Sequence, residues 1–124
     1  MTLLILFSAM LLQSDMQSTD TPRRILVFGN KELPAVQLQW ELLQKDSSGL
    51  KERDIQLTMV TPGGRQYKKF SVNLHEPFTV ILVGRDGEEK FRSNQVTSTS
   101  QLFALIDAMP MRKAEMRKQK NHHP

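Results

Sequence analysis

Asp107 and Arg112 flank the stretch Met109-Pro110-Met111, and with Arg53 they are the side chains best suited to acid–base work or to holding a charged group. A carboxylate of this kind does acid–base chemistry only when buried against a substrate cleft. The blander role is structural: Asp107 bonds the chain around the Met-Pro-Met turn, or pairs with Arg112 or Arg53. Asp54, next to Arg53, joins these interaction candidates. Glu88 and Glu89 are not a catalytic pair, because neighbours in a strand point to opposite faces. His75 lies in an irregular stretch without the Gly-x-Ser-x-Gly elbow or partners that serine hydrolysis requires, so it reads as an exposed loop histidine. His122 and His123, with His75 or Glu76, could bind nickel or copper, but adjacent histidines at a chain end preset no geometry. No catalytic residue, cofactor or metal is assigned.

The sequence contains no cysteine. That excludes disulfides, thiolate nucleophiles, iron–sulfur ligation and cysteine-type structural zinc. Thr61-Pro62-Gly63-Gly64-Arg65 is glycine-rich, but no helical pattern follows it, so a turn is expected rather than a phosphate-binding loop.

Charge is unevenly placed. The net charge is +4, yet residues 112–124 carry five Lys or Arg against Glu115 alone. The basic groups are Arg65, Lys68 and Lys69 in the loop and Arg112, Lys113, Arg117, Lys118 and Lys120 near the C-terminus. Such clusters attract polyanions through counterion release. Nucleic-acid binding adds stacking aromatics, and only Tyr67 and Phe70 stand near them. The bland reading of the C-terminal group is a solvated helix extension and tail.

The elements that must position these residues read as follows. Arg24–Gly29 is a short apolar run ending in glycine, suited to a strand buried on both faces. Pro34 is tolerated in a first helical turn, and Leu33, Val36, Trp40 and Leu43 recur on one helical face, with Gln37, Gln39, Glu41 and Gln44 mostly outside it. Ser47-Ser48-Gly49 is expected to end that helix. Asp54–Val60 alternates as a strand with Ile55, Leu57 and Met59 on its apolar face. Residues 61–77 read as irregular. Phe78–Val83 is a second buried strand, Gly84-Arg85-Asp86-Gly87 a tight hairpin turn, and Glu89–Arg92 the returning strand. Thr97 or Ser98 caps a second helix whose inward face is Leu102, Leu105, Ile106 and Met109, ended by Pro110.

Strand, helix, strand, a long connection, a hairpin and a helix make an α/β domain of βαβ–ββα order: a mixed four-stranded sheet with helices on its faces, the minimal thioredoxin-like arrangement. The expected organisation is a domain over 21–111 and a basic extension over 112–124, preceded by residues 1–20. Leu3–Leu12 is ten residues without a charge, too short for a membrane span of about 20 residues and matching the apolar region of a secretory signal. No basic residue precedes it and no clear small-x-small cleavage site follows. The alternative is an N-terminal helix packed on the domain.

Four stretches carry a family resemblance: Arg23–Gly29, Glu52-Arg53-Asp54-Ile55, Val80–Gly87 and above all Leu102–Met116, with Ile106–Arg112 its most specific piece. Over about residues 23–116 the chain resembles the P-DUDES domain, a thioredoxin- and peroxiredoxin-like domain of unknown function. That family occurs in short bacterial proteins, usually exported, and in animal extracellular proteins such as equarin and the sushi-repeat-containing proteins. The resemblance implies the fold, an exported setting and roles in adhesion or matrix contact. Its redox associations do not carry over. A thioredoxin places its thiolate just after the first strand, where this chain has Gly29-Asn30-Lys31-Glu32-Leu33-Pro34-Ala35. Pro77 lies one residue earlier than the cis-proline of that fold, and an ordinary trans bond is expected there.

The reading is therefore a redox-inactive binding or interaction module, periplasmic or secreted, whose partner is a protein or an acidic glycan. Two alternatives stand beside it: an enzyme using the Asp107/Arg112/Arg53 neighbourhood, and a cytosolic polyanion binder acting through the basic tail.

Overall fold

The structure, a computed structural model, describes residues 21–121. The expected signal region and the pair His122 and His123 lie outside the described residues. Strand β1 (Arg23–Gly29) pairs parallel with β2 (Ile55–Val60) and antiparallel with β3 (Phe78–Val83), which pairs antiparallel with β4 (Glu89–Ser93). The sheet order is β2-β1-β3-β4. The two continuous apolar runs, Ile25–Phe28 and Phe78–Val83, occupy its centre, where strands are covered on both faces. Every residue of β3 is buried.

Helix α1 (Pro34–Lys45) starts on its proline, as expected. Its Val36 and Leu43 join Ile25, Val27, Val80 and Leu82 in the larger of two cores. Gln39 corrects the sequence reading, since it is fully buried rather than outside the apolar stripe. Its amide nitrogen donates to the Thr97 carbonyl at 3.0 Å and its oxygen accepts the Thr97 amide at 2.8 Å. The side chain thus works like one rung of a sheet, satisfying both buried backbone groups at once.

Ser47-Ser48-Gly49 does not end helical structure either. After a break at Asp46, α2 (Ser47–Glu52) follows, with Leu50 buried in the core. Gly49 is required there by space: a Cβ would stand 2.5 Å from the Phe103 ring. A further helix, α3 (Arg65–Lys69), lies in the stretch read as irregular and directly after the glycine-rich turn. It buries Tyr67, which with Phe70 and Val72 covers Leu26, Phe28, Ile81 and Val83 on the other face of the sheet. The Tyr67 and Phe28 rings meet edge-on at 5.0 Å between centroids. Neither Tyr67 nor Phe70 is therefore free to stack on a base.

The β3–β4 turn has Gly87 at φ +80, the left-handed conformation its glycine was expected to supply. The described peptide bonds are all trans, including the one before Pro77. Ser98 caps α4 (Thr99–Asp107), its hydroxyl accepting the Gln101 amide at 3.2 Å. Leu102 and Ile106 face inward with Phe103, whereas Leu105 is 37% exposed and lies at the rim of the stripe. Pro110 begins α5 (Pro110–Asn121) three residues beyond the end of α4. No helix among the described residues is long and apolar enough to cross a membrane.

Candidate functional site

Asp107 closes α4, Arg112 stands in the first turn of α5, and Arg53 caps the C-terminal end of α2. The fold brings all three together. Arg53 presents Nε and Nη2 to the two oxygens of Asp107, both at 3.0 Å, a fork-on-carboxylate geometry. Its Nη1 donates to the Gly49 carbonyl at 3.0 Å, and its guanidinium lies 4.0 Å from the Phe103 ring centroid. Arg112 donates from Nε to Asp107 at 3.2 Å and from Nη2 to Glu52 at 3.1 Å, with its side chain 2% exposed. One carboxylate thus ties the end of α2 to both ends of the Met-Pro-Met turn.

A second carboxylate continues the network. Glu115, one helical turn after Arg112, accepts from Arg23 Nη1 at 3.3 Å, from Arg23 Nη2 at 3.0 Å and from Arg85 Nε at 3.0 Å. Arg23 also donates to the Arg53 carbonyl at 2.8 Å. Asp54 enters through Arg85, whose Nη1 donates to Asp54 Oδ2 at 2.8 Å and to the Thr21 carbonyl at 3.0 Å. Asp54 sits at φ +52, a left-handed position that aspartate tolerates better than most residues. Four arginines (23, 53, 85 and 112) face four acids (52, 54, 107 and 115). The charges balance, and among the described residues no buried side-chain polar atom lacks a partner.

The electrostatics follow from this packing. Burial pushes the Asp107 carboxyl up, but the hydrogen bonds from Arg53 and Arg112 outweigh it and hold the group below the usual carboxylate range. Glu115 behaves likewise: burial raises it, and Arg23 and Arg85 bring it down further than burial lifts it. A carboxylate so held is ionised at neutral pH and cannot serve as an acid. It is also a weak base, with its lone pairs committed to guanidinium donors. The cluster is a clasp that joins α2, α4, α5 and the sheet.

The remaining sequence candidates lie elsewhere. Arg65, Lys68 and Lys69 are exposed on α3, which covers the opposite face of the sheet. His75 is exposed in the following loop. Glu89 pairs with Arg92 at 2.6 Å and Glu88 with Lys90 at 3.8 Å. Among the described residues no three His, Asp or Glu side chains are grouped to hold a metal ion. Sequence reasoning missed Arg23, Arg85, Glu52 and Glu115 as members of the clasp. Glu115 did leave a local signal, as the lone acid among the tail's cations, three residues after Arg112.

On α5 the cations divide by face. Arg112 turns inward, while Lys113, Arg117, Lys118 and Lys120 are exposed, with no carboxylate in ion-pair reach among the described residues. Lys113, Arg117 and Lys120 stand at i, i+4 and i+7, a stripe about 10 Å long.

Known structures share the fold. Thioredoxin-2, a component of malaria parasite protein secretion machinery, is 25% identical, with 71% of this chain and 84% of that one covered and a TM-score of 0.56. The fold is thioredoxin-like. A mutant thioredoxin from Halobacterium salinarum NRC-1 is 15% identical over 76% of this chain and 80% of its own, again with a TM-score of 0.56. StoA from Bacillus subtilis is 15% identical, covering 68% and 81%, with a TM-score of 0.52. The family model described as a domain of unknown function (DUF4174) matches residues 65–115, a stretch that ends on Glu115 of the clasp. No curated protein sequence matches the chain. This is a thioredoxin-like domain of unknown function in which no cysteine is available for thiol chemistry.

Proposed function

We propose that this chain is an exported, redox-inactive interaction module of the P-DUDES type that binds an acidic glycan through the outer face of α5. The observation that carries the reading is the division of charge on that helix. Arg112 and Glu115 are consumed by the clasp, which fixes the helix to the domain. The clasp thereby holds Lys113, Arg117 and Lys120 as a preset row of exposed cations with no ion-pair partner among the described residues. A row held rigid loses less conformational freedom on binding than the same residues in a flexible tail.

The polyanion class follows from what accompanies the row. Among the described residues Tyr67 and Phe70 are buried and offer no base-stacking platform. A membrane-surface helix would need an apolar face to insert, whereas the outer face of α5 exposes Lys113, Arg117, Lys118 and Lys120. What remains is recognition of regularly spaced anionic groups, which an acidic polysaccharide offers. Export is supported by the uncharged run Leu3–Leu12. Two experiments test the proposal. Retention on an immobilised sulfated polysaccharide should be lost with rising salt and with charge reversal on α5. Intact mass from fractionated native cells should show loss of about the first 12–22 residues in the exported fraction, the length of a signal region; full-length protein in the cytosol would refute export.

A further inference from the structure

β2 is an edge strand: β1 covers one side of it, and no strand lies beyond it among the described residues. The Arg23 amide donates to the Asp54 carbonyl at 3.0 Å. In the parallel ladder that this bond begins, Gln56, Thr58 and Val60 turn their backbone groups to β1. Ile55, Leu57 and Met59 turn theirs to the open edge. The same three residues pack their side chains against the larger core yet stay half-buried, whereas Ile25, Val27, Val80 and Leu82 in that core are fully buried.

The two edges of the sheet are built differently. β4 carries Glu89, Lys90 and Arg92, and its pairing with β3 is irregular between Leu82 and Val83. Charges and bulges of that kind keep an edge from pairing. β2 reads Ile-Gln-Leu-Thr-Met-Val, with no charge, proline or glycine, and its register with β1 runs unbroken from Ile55 to Val60.

We propose that β2 pairs antiparallel with β2 of a second copy of this chain, joining the two sheets into one across a two-fold axis at Leu57. The strand is self-complementary in that register. Leu57 faces Leu57 and Ile55 faces Met59, and each pair exchanges both of its outward-turned backbone groups. The apolar side chains so paired extend the stripe over the larger core. On the opposite surface Gln56 faces Thr58, so no charge opposes another. A two-fold arrangement satisfies both copies with one surface. Contact through one short strand buries little area, which makes the association weak and reversible. The α5 row takes no part in it, so the proposal stands or falls apart from the glycan reading.

Sedimentation of the full chain from about 10 µM to 1 mM should show a monomer–dimer equilibrium. Amide hydrogen exchange over the same range gives the residue-level readout. The Ile55, Leu57 and Met59 amides should slow at least about fivefold from the lowest to the highest concentration, while the Gln56 and Thr58 amides, already turned to β1, change little. Gln56→Glu/Thr58→Glu sets carboxylate opposite carboxylate twice across the axis and should weaken the dimer at least about tenfold. Gln56→Glu alone, at an exposed position beside Arg24, should weaken it about threefold and leave the urea midpoint of the dilute chain unchanged. A monomer throughout the range, a dimer whose three outward amides exchange as fast as in the dilute chain, or a dimer undiminished by both variants would each overturn the pairing. Protection of those amides at every concentration in a monomer would overturn it too, because the edge would then be covered by a segment of the same chain, such as Leu3–Leu12.

Discussion

Glu115 grips Arg23 with both carboxylate oxygens, at 3.3 and 3.0 Å, across 92 residues of chain. The arginine opens the central strand and the glutamate sits on the last helix, so the contact closes the domain end to end. Arg23 is 1% exposed, and removing its partner leaves a guanidinium uncompensated in a place water scarcely reaches. Breaking such a pair from one side costs far more than the pair itself contributes. Glu115→Gln is expected to lower unfolding free energy by about 3 kcal/mol in urea titration. Lys113→Glu, on the exposed face of the same helix, should change it by less than about 0.5 kcal/mol.

The clasp also sets how stability depends on pH. Asp107 and Glu115 have folded-state carboxyls lowered from their ordinary values. The unfolded chain therefore binds protons first as pH falls, and stability declines with it. The contribution is fully present above the ordinary carboxylate range, about pH 4, and is lost as pH drops through the lowered folded values. The urea midpoint should be flat from about pH 6 to 8 and fall below about pH 5. In Asp107→Asn/Glu115→Gln the fall should be shallower, and an unchanged slope would remove these two groups from the account.

Gln39→Leu keeps the apolar volume near that site but strips Thr97 of partners for both its amide and its carbonyl. Unsatisfied buried backbone groups cost about 1–3 kcal/mol each, so a loss of about 2–4 kcal/mol is expected by thermal unfolding. Hydrogen exchange at the Thr97 amide should rise with it, since that amide donates to Gln39.

Gly29→Ala tests the close approach at the end of β1. The residue sits at φ +146, and a Cβ would stand 2.6 Å from the Pro77 carbonyl oxygen and 2.7 Å from the Val36 side chain. Backbone strain and the clash with a carbonyl add, so a loss of at least about 2 kcal/mol is expected in urea titration. Ala at Gly63, where a Cβ would meet nothing within 4 Å, isolates the φ contribution alone.

What could be read from the residues, and what could not, divides by the range of the interaction. β1 and β3 were legible because uncharged runs have one home in a sheet, and the α4 cap was legible because Ser98 and its amide are three residues apart. The pairing of Asp107 with Arg53 and Arg112 was foreseen as the structural alternative for those side chains, and the geometry follows it. Gln39 was misplaced because its polar side chain outweighed its spacing, three residues after Val36 and four before Leu43 on the same helical face, while the backbone groups that satisfy it lie 58 residues away. Helices of five and six residues, α3 and α2, lack the length for a periodic signal and form through tertiary burial of Tyr67 and Leu50. Arg23 and Glu115 share no local pattern at all. Their meeting is a property of the closed fold.

Binding to a soluble sulfated polysaccharide, compared across salt concentrations for the native chain and for Lys113→Glu/Arg117→Glu/Lys120→Glu, tests the central claim most directly. The account predicts saturable binding whose log affinity falls linearly with log salt, and a loss of at least about tenfold in the triple variant at unchanged stability. Salt-insensitive binding, or binding undiminished in the triple variant, would contradict it.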